Sequence, residues 1–370
     1  MTVDVLSRRA LNRATLERQL LLRRSGMSVL EAVEHLVGLQ AQLPLNPYTG
    51  LWSRLKRFRP DGLAELLVHR QVVRIVVMRA TLHLVSAGDC LLLRPLMQPV
   101  LDRELARHPE YGQALLGVDL DAVLAFARPL LAQRPRTGAE LRAALAERFP
   151  DHDASALAYA CRNLLAFVQA PPRGVWGRTA QVTSTTAESW LGRPLATNPS
   201  IDDVVLRYIA AFGPAAVGDV TTWSRLTGLR EVVDRLRPRL RTFRDERGRE
   251  LVDLPDAPRP DPDTPAPPRF LPEYDNVLLS HADRSRFVSA EHRTRLSGVP
   301  GPVHGSVLHD GFLCGIWRVD RDAGSTTLVV NHVERLTKRA TATLAAEGRR
   351  LLRFLAAEAD THDIRFVPVD

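Results

Sequence analysis

Apolar residues recur at helical spacing along much of the chain, and short alternating or β-branched runs follow them. The sharpest start is at Ser28, which makes a capping box with Glu31 ahead of the stripe Val29, Leu30, Val33, Leu36 and Val37. From residue 119 to 184 the pattern predicts three helices and two strands. Leu120, Val123, Leu124, Phe126 and Ala127 form the first stripe, and Thr137 with Glu140 caps a second helix that ends near Phe149-Pro150. Asp153 to Phe167 carries the third, through Leu157, Ala160, Leu164 and Leu165. Val168-Gln169-Ala170 and Val175 to Thr183 then read as strands around Pro171-Pro172-Arg173-Gly174. The same order is expected from Ile201 to Leu254, with helices over 201–212, 216–226 and 229–239. A hairpin from Arg241 to Leu254 follows, with the charged tip Asp245-Glu246-Arg247-Gly248. Residues 8–86 make a less regular version that ends in the apolar, strand-like run Val72 to Val85.

A helix-turn-helix followed by a β-wing is a winged helix, so the pattern predicts three in tandem. Residues 256–268, DAPRPDPDTPAPP, form a proline-rich connector that fits neither helix nor central strand. Beyond it, His304 to Val319 reads as two strands about Asp310-Gly311, Thr326 to Val330 and Asp363 to Val367 as further strands, and Glu334 to Ala357 as a helix. The expected class is α+β. Winged-helix units occupy 1–118, 119–198 and 199–268, the last with the connector, and a small β-barrel-like domain occupies 269–370.

Composition narrows the function classes. The 370 residues carry a formal charge of +8, with a pI near 10.1, which points toward nucleic acid. Lys56 and Lys338 are the only lysines, so 48 of the 50 basic residues are arginines, whose forked guanidinium suits phosphate. Schiff-base chemistry has two side-chain candidates, neither in an apolar setting. Cys90, Cys161 and Cys314 are few and scattered, which fits a reducing compartment and no structural zinc. The N-terminus lacks the apolar core of a signal peptide and no run is long enough to span a bilayer, so a soluble cytoplasmic protein is expected.

No HExxH, Walker A, GxSxG or dinucleotide fingerprint occurs, and neither a metal nor a cofactor is expected. His152, His309 and His362 each adjoin an aspartate, a pairing that suits a solvated turn better than a metal. The segment Gly38-Leu39-Gln40-Ala41-Gln42 closes the helix begun at Ser28. In extended backbone Gln40 and Gln42 point the same way, and two neutral amides aimed at one place can hydrogen-bond a water, a base or a sugar without ionising. On spacing alone the same amides also suit a solvated loop or a helix C-cap. Arg74 to Leu84 reads as a strand that puts Arg79, Thr81 and His83 on one face, beside those glutamines or simply toward water. Arg284 and Arg286, with His292, Arg293 and Arg295, gather cations that can neutralise phosphate or remain solvated. The run Arg235 to Arg244 ends a candidate recognition helix.

Taken together, LQAQ (Leu39–Gln42), LWSRL (Leu51–Leu55), MRATLHLV (Met78–Val85), RFLPEYDN (Arg269–Asn276) and the turn Asp310-Gly311 resemble the AlkZ-like winged-helix DNA glycosylases almost end to end. The YcaQ-type cousins are characterised by Gln-x-Asp, whereas Gln42 stands here at the carboxylate position. The resemblance implies three tandem winged helices in a C-shape, with Gln40 and Gln42 at the catalytic positions. Arg74, Arg79, Thr81 and His83, with Arg284, Arg286, His292, Arg293 and Arg295, are candidate DNA contacts, and a DNA-contacting β-hairpin is expected within Val288 to Val303. It implies a monomer that excises N7-alkylguanine from double-stranded DNA, including bulky natural-product adducts and crosslinks, as in toxin self-resistance. Amides cannot protonate a leaving group, so the substrate must already carry a good one. On this reading the carbonyls of Gln40 and Gln42 hold the water and face the developing positive charge. A winged-helix transcriptional regulator, or a protein that binds lesions without excising them, fits the same charge and fold.

Overall fold

A computed structural model describes residues 4–300, 304–322 and 324–369 of the chain. The capping box at the first sharp helix start is complete. Ser28 Oγ accepts from Glu31 N at 3.3 Å, and the Glu31 carboxylate accepts from Ser28 N at 2.8 Å. The helix Val29–His35 buries Ala32 and Val33 and stops after two turns. It stops because Val37 and Gly38 both take left-handed backbone, φ 53° and 87°, with Gly38 N donating to Val33 O. A side chain at Gly38 would meet Leu84 O at 2.9 Å and Val85 Cγ1 at 2.8 Å, so only glycine lets the chain pass. The next two residues, Leu39–Gln40, enter a sheet at once and pair antiparallel with Leu84 and His83.

That sheet is six-stranded and runs across the first two units. Its order is Leu39–Gln40, Leu82–Ser86, Val72–Val76, Phe167–Gln169, Thr183–Thr186, Arg136–Thr137. The expected single strand Val72 to Val85 is therefore two strands. They turn at Met78–Ala80, where Arg79 and Ala80 adopt positive φ of 58° and 55°. Arg79, Thr81 and His83 accordingly do not share one strand face. In the second unit, Val175 to Thr183 is a loop rather than a strand, because Gly174 and Gly177 take φ of 88° and 69° and break the extended run. The helices Leu120–Gln133, Gly138–Arg148 and Ala154–Leu164 form as the pattern predicts, with the Thr137–Glu140 capping box in place.

Helices Ile201–Phe212, Val217–Ser224 and Leu229–Leu236 precede the hairpin Arg241–Asp245 and Glu250–Asp253. Val5–Leu6 joins this hairpin as a parallel third strand. The C-terminal sheet has the order Arg269–Leu271, Gly305–His309, Phe312–Asp322, Ser325–His332, Thr361–Pro368. Its first four strands are antiparallel. The last returns parallel through the helix Lys338–Leu355, which lies close enough that a Cβ on Gly348 would meet Leu328 Cδ2 at 2.8 Å. Among the described residues Arg269–Leu271 and Thr361–Pro368 remain separate edges, so the sheet is open, and the expected barrel is not formed. The helix fills the face that closure would have enclosed. The expected hairpin within Val288 to Val303 is not formed either. Ser289 caps the helix Ala290–Ser297 instead, and residues 301–303 lie outside the described residues. No described helix is long and apolar enough to cross a membrane.

The N-terminal helix Arg8–Arg18 packs far from its sequence neighbours. Arg18 makes a fully buried fork on Asp253, at 2.6 and 2.8 Å, and Arg259 adds a third contact to the same carboxylate at 2.6 Å. Arg13 donates to Asp310 Oδ1 and to Asp310 O, and Asn12 donates to the backbone carbonyls of Arg286 and Gly311. Removing one partner of such a pair leaves an uncompensated charge inside the protein. Asp253→Ala is expected to lower unfolding free energy by about 3–5 kcal/mol, read as a shift of the urea midpoint with an unchanged slope.

Candidate functional site

Gln40 sits where the left-handed turn at Gly38 delivers the chain to the edge of the six-stranded sheet, and it is 7 % exposed. Ala41 is fully buried, and both its backbone groups are used. Its N–H donates to Leu82 O at 2.8 Å, and its carbonyl accepts from Arg74 Nη2 at 2.8 Å. The strand ends at Gln40, and Gln42 lies in the bend that follows Ala41, so alternation along a strand does not orient it. Gln42 is exposed and its side chain has no partner among the described residues.

Gln40 is held by a cation. Arg79 Nη2 donates to Gln40 Oε1 at 2.7 Å and to Asn276 Oδ1 at 2.8 Å, and it lies 3.3 Å from His83 Nε2. Arg79 Nη1 donates to Trp223 O at 3.2 Å. Asn276 Nδ2 reaches back to Gly38 O at 3.3 Å, two residues before Gln40. The neighbouring Asp275 makes a buried fork on Arg54, both contacts at 2.8 Å. Gln40, Asn46, Arg54, Asp275 and Asn276 line one narrow cleft. The dipeptide Asp275-Asn276 thus anchors the C-terminal part to the glutamine segment. Sequence reading took RFLPEYDN only as part of a resemblance and gave Asn276 no role. Its one local signal was an Asp-Asn pair in an otherwise apolar stretch.

Burial, with Arg225 and Arg284 adding repulsion, pushes the Arg79 guanidinium down to about 10, so it stays cationic at neutral pH. Burial also lowers Arg284, with Arg293 next in effect. Arg79 thus feels the charges of Arg225 and Arg284, and Arg284 that of Arg293, while Arg225 also lies 3.9 Å from Glu104. The side chains of Arg284 and Arg293 make no ion pair or hydrogen bond to a described residue and remain available.

The other candidates are committed elsewhere. Arg74 is 1 % exposed and supports Ala41, while its Nε and Nη1 find no partner. Burial lowers it to about 10, with Arg173 adding to the effect. Thr81 Oγ1 donates within its own turn, to Met78 O at 3.1 Å. Arg286 is buried and donates to Thr15 Oγ1 and Pro214 O. Arg295 donates to the carbonyls of Val333 and Val369, and His292 lies 3.6 Å from Glu334. The run ending the third unit's last helix is largely self-paired: Arg235 with Asp202, Arg237 with Asp234 and Glu250, Arg241 with Asp4. These arginines cannot meet phosphate without giving up a structural partner.

The family profile described as DNA glycosylase AlkZ-like matches residues 33–354. The chain belongs to the AlkZ-like DNA glycosylase family. The solved structure of Streptomyces sahachiroi DNA glycosylase AlkZ shares the fold of this AlkZ-like protein, with a TM-score of 0.76 at 20 % identity, covering 98 % of this chain and 100 % of that one. No curated protein matches by sequence. The AlkZ-like segment 33–354 includes Gln40, Gln42, Arg79, Asn276, Arg284 and Arg293.

His83 reports on this environment. Its Nδ1 pairs with Thr81 O at 2.9 Å, so Nδ1 carries the hydrogen and Nε2 is left to accept from Arg79. Burial first, then Arg79, pushes the imidazole down to about 3. The unfolded chain takes up a proton near the ordinary value of 6.5 that the folded chain refuses. His83 thus contributes stability above that value and loses it as pH falls toward about 3. We expect the slope from this group to reach about 1.4 kcal/mol per pH unit, measured by urea unfolding between pH 7.5 and 4.5. The His83 ring should show no NMR titration between pH 5 and 8.

Proposed function

We propose that this protein hydrolyses the N-glycosidic bond of N7-alkylguanine in double-stranded DNA, with Gln40 and Gln42 as its catalytic residues. The observation that carries the reading is the Gln40 amide held by Arg79 on a braced strand end, with the exposed Gln42 amide two residues on and Arg284 and Arg293 adding positive charge. The cations suit a phosphate backbone. The amides suit a substrate whose leaving group needs no proton. Alkylation at N7 makes the base cationic. When C1′–N9 breaks, the bonding pair moves onto the ring and cancels that charge, so the base departs neutral. Water then bonds to C1′ and releases its proton to solvent. What the protein must supply is orientation and fixed dipoles around an oxocarbenium-like sugar. Gln42, exposed and unpaired, can accept from the attacking water.

The substrates on this reading include bulky natural-product adducts and interstrand crosslinks, as in protection from a self-made toxin. The protein acts as a monomer, with three tandem winged-helix units over 1–118, 119–198 and 199–268 curved around the duplex. Lys56 and Lys338 are both exposed. Without an amine in the site the product is an abasic site, and borohydride should trap no covalent enzyme–DNA species.

Release of 7-methylguanine from duplex DNA under single-turnover conditions tests the proposal against a regulator or a lesion-binding protein, neither of which frees a base. Gln40→Ala and Gln42→Ala are each expected to slow release by roughly 10²–10³-fold; parental rates in both would overturn the assignment. Arg284→Ala and Arg293→Ala should each weaken binding and reduce the slope of log affinity against log salt by about 0.9, read by fluorescence anisotropy.

A further inference from the structure

Arg79 has hydrogen-bond donors only. Whatever its guanidinium touches on Gln40 must be the amide oxygen, and the contact is Oε1 at 2.7 Å. The Gln40 amide is therefore not free to turn. Its Oε1 faces inward to the cation, and its Nε2 has no partner among the described residues and is not sealed from solvent. The remaining restraints converge on the same arrangement. Asn276 accepts from the same Arg79 nitrogen at 2.8 Å while its own amide hydrogen reaches Gly38 O. His83 offers Arg79 a lone pair because its other nitrogen is occupied by Thr81 O. Trp223 O takes Arg79 Nη1. Three groups from three places in the chain fix one guanidinium, and that guanidinium fixes one amide.

Resting on the glycosylase reading above, we infer that Gln40 meets the reacting nucleoside as a hydrogen-bond donor through Nε2, and that Arg79 and Asn276 are positioning residues that hold it so. This divides the two glutamines by chemistry. Gln42 accepts from the water, and Gln40 donates to the departing base. The acceptor it fits is a ring nitrogen or exocyclic oxygen of the guanine. As the C1′–N9 pair flows onto the ring, those atoms gain electron density and become better acceptors. A donor aimed at them thus binds the transition state more tightly than the ground state. A carbonyl turned to the same atoms would lose rather than gain.

Gln40→Glu separates this from the alternative in which Gln40 faces the sugar through oxygen. The carboxylate keeps every Arg79 contact and removes the N–H. With enzyme in saturating excess over DNA, the expected result is single-turnover release of 7-methylguanine slowed by about 10²-fold or more, no faster than Gln40→Ala. A rate at or above the parental one overturns the inference. Arg79→Lys keeps the charge but cannot serve Gln40 and Asn276 from one planar fork. It should slow release about tenfold or more in the parental background and have no further effect in Gln40→Ala. An equal loss in both backgrounds would show that Arg79 does not act through Gln40. If Arg79→Lys fails to fold, Gln40→Glu still decides, since it disturbs no buried contact. A parental protein that frees no base sinks the glycosylase reading and this one together, whereas a parental protein that frees base as fast as Gln40→Glu sinks this one alone.

Discussion

The Arg79 guanidinium ties together parts of the chain that share no local structure. It joins the turn between two central strands, the edge residue Gln40, the end of a helix in the third unit at Trp223, and the short turn at Asn276. A buried cation without a carboxylate is costly unless its donors are satisfied. Here Nη2 meets the amide oxygens of Gln40 and Asn276, with the His83 lone pair at 3.3 Å, and Nη1 meets the Trp223 carbonyl. None of these neutralises the charge. The result is a positive centre that packing cannot discharge, and it stands next to the Gln40 amide.

Much of the arginine content does quite different work. Arg18 with Asp253, Arg54 with Asp275, Arg13 with Asp310 and Arg286 with Pro214 O fasten long-range contacts between elements. The net charge of +8 is thus a poor count of the cations open to DNA. The arginines free to meet phosphate are those whose side chains have no internal partner, Arg284 and Arg293 among them. Arg74 and Arg286, which look alike in a string of letters, are inside the protein.

Local signals were readable wherever the chain decides its own conformation. Both capping boxes form, and the helices from Leu120 to Leu236 follow their apolar stripes. Failures came where a tertiary contact or an unusual backbone angle intervenes. Nothing in the apolar run from Val72 to Val85 marks Arg79 and Ala80 as left-handed, since neither is glycine or asparagine. The open C-terminal sheet depends on where one helix lies, which strand pattern alone does not encode. At the site, the spacing of Gln40 and Gln42 was visible. The orientation of the Gln40 amide was not, because it is set by Asn276 and Trp223, distant in sequence.

The placement of the helix Arg8–Arg18 carries one more implication. Its partners are Asp253, Asp310 and Gly311, and Val5–Leu6 pairs with Arg244 and Asp245. Almost three hundred residues separate Asn12 from Gly311, so the helix is made long before its last anchor exists. Until then its arginines face water, and loop closure of that length sets a slow step. The Gln40 strand, by contrast, finds His83 within about fifty residues of chain, but the Gln40 amide is fixed only once Trp223 and Asn276 have reached Arg79.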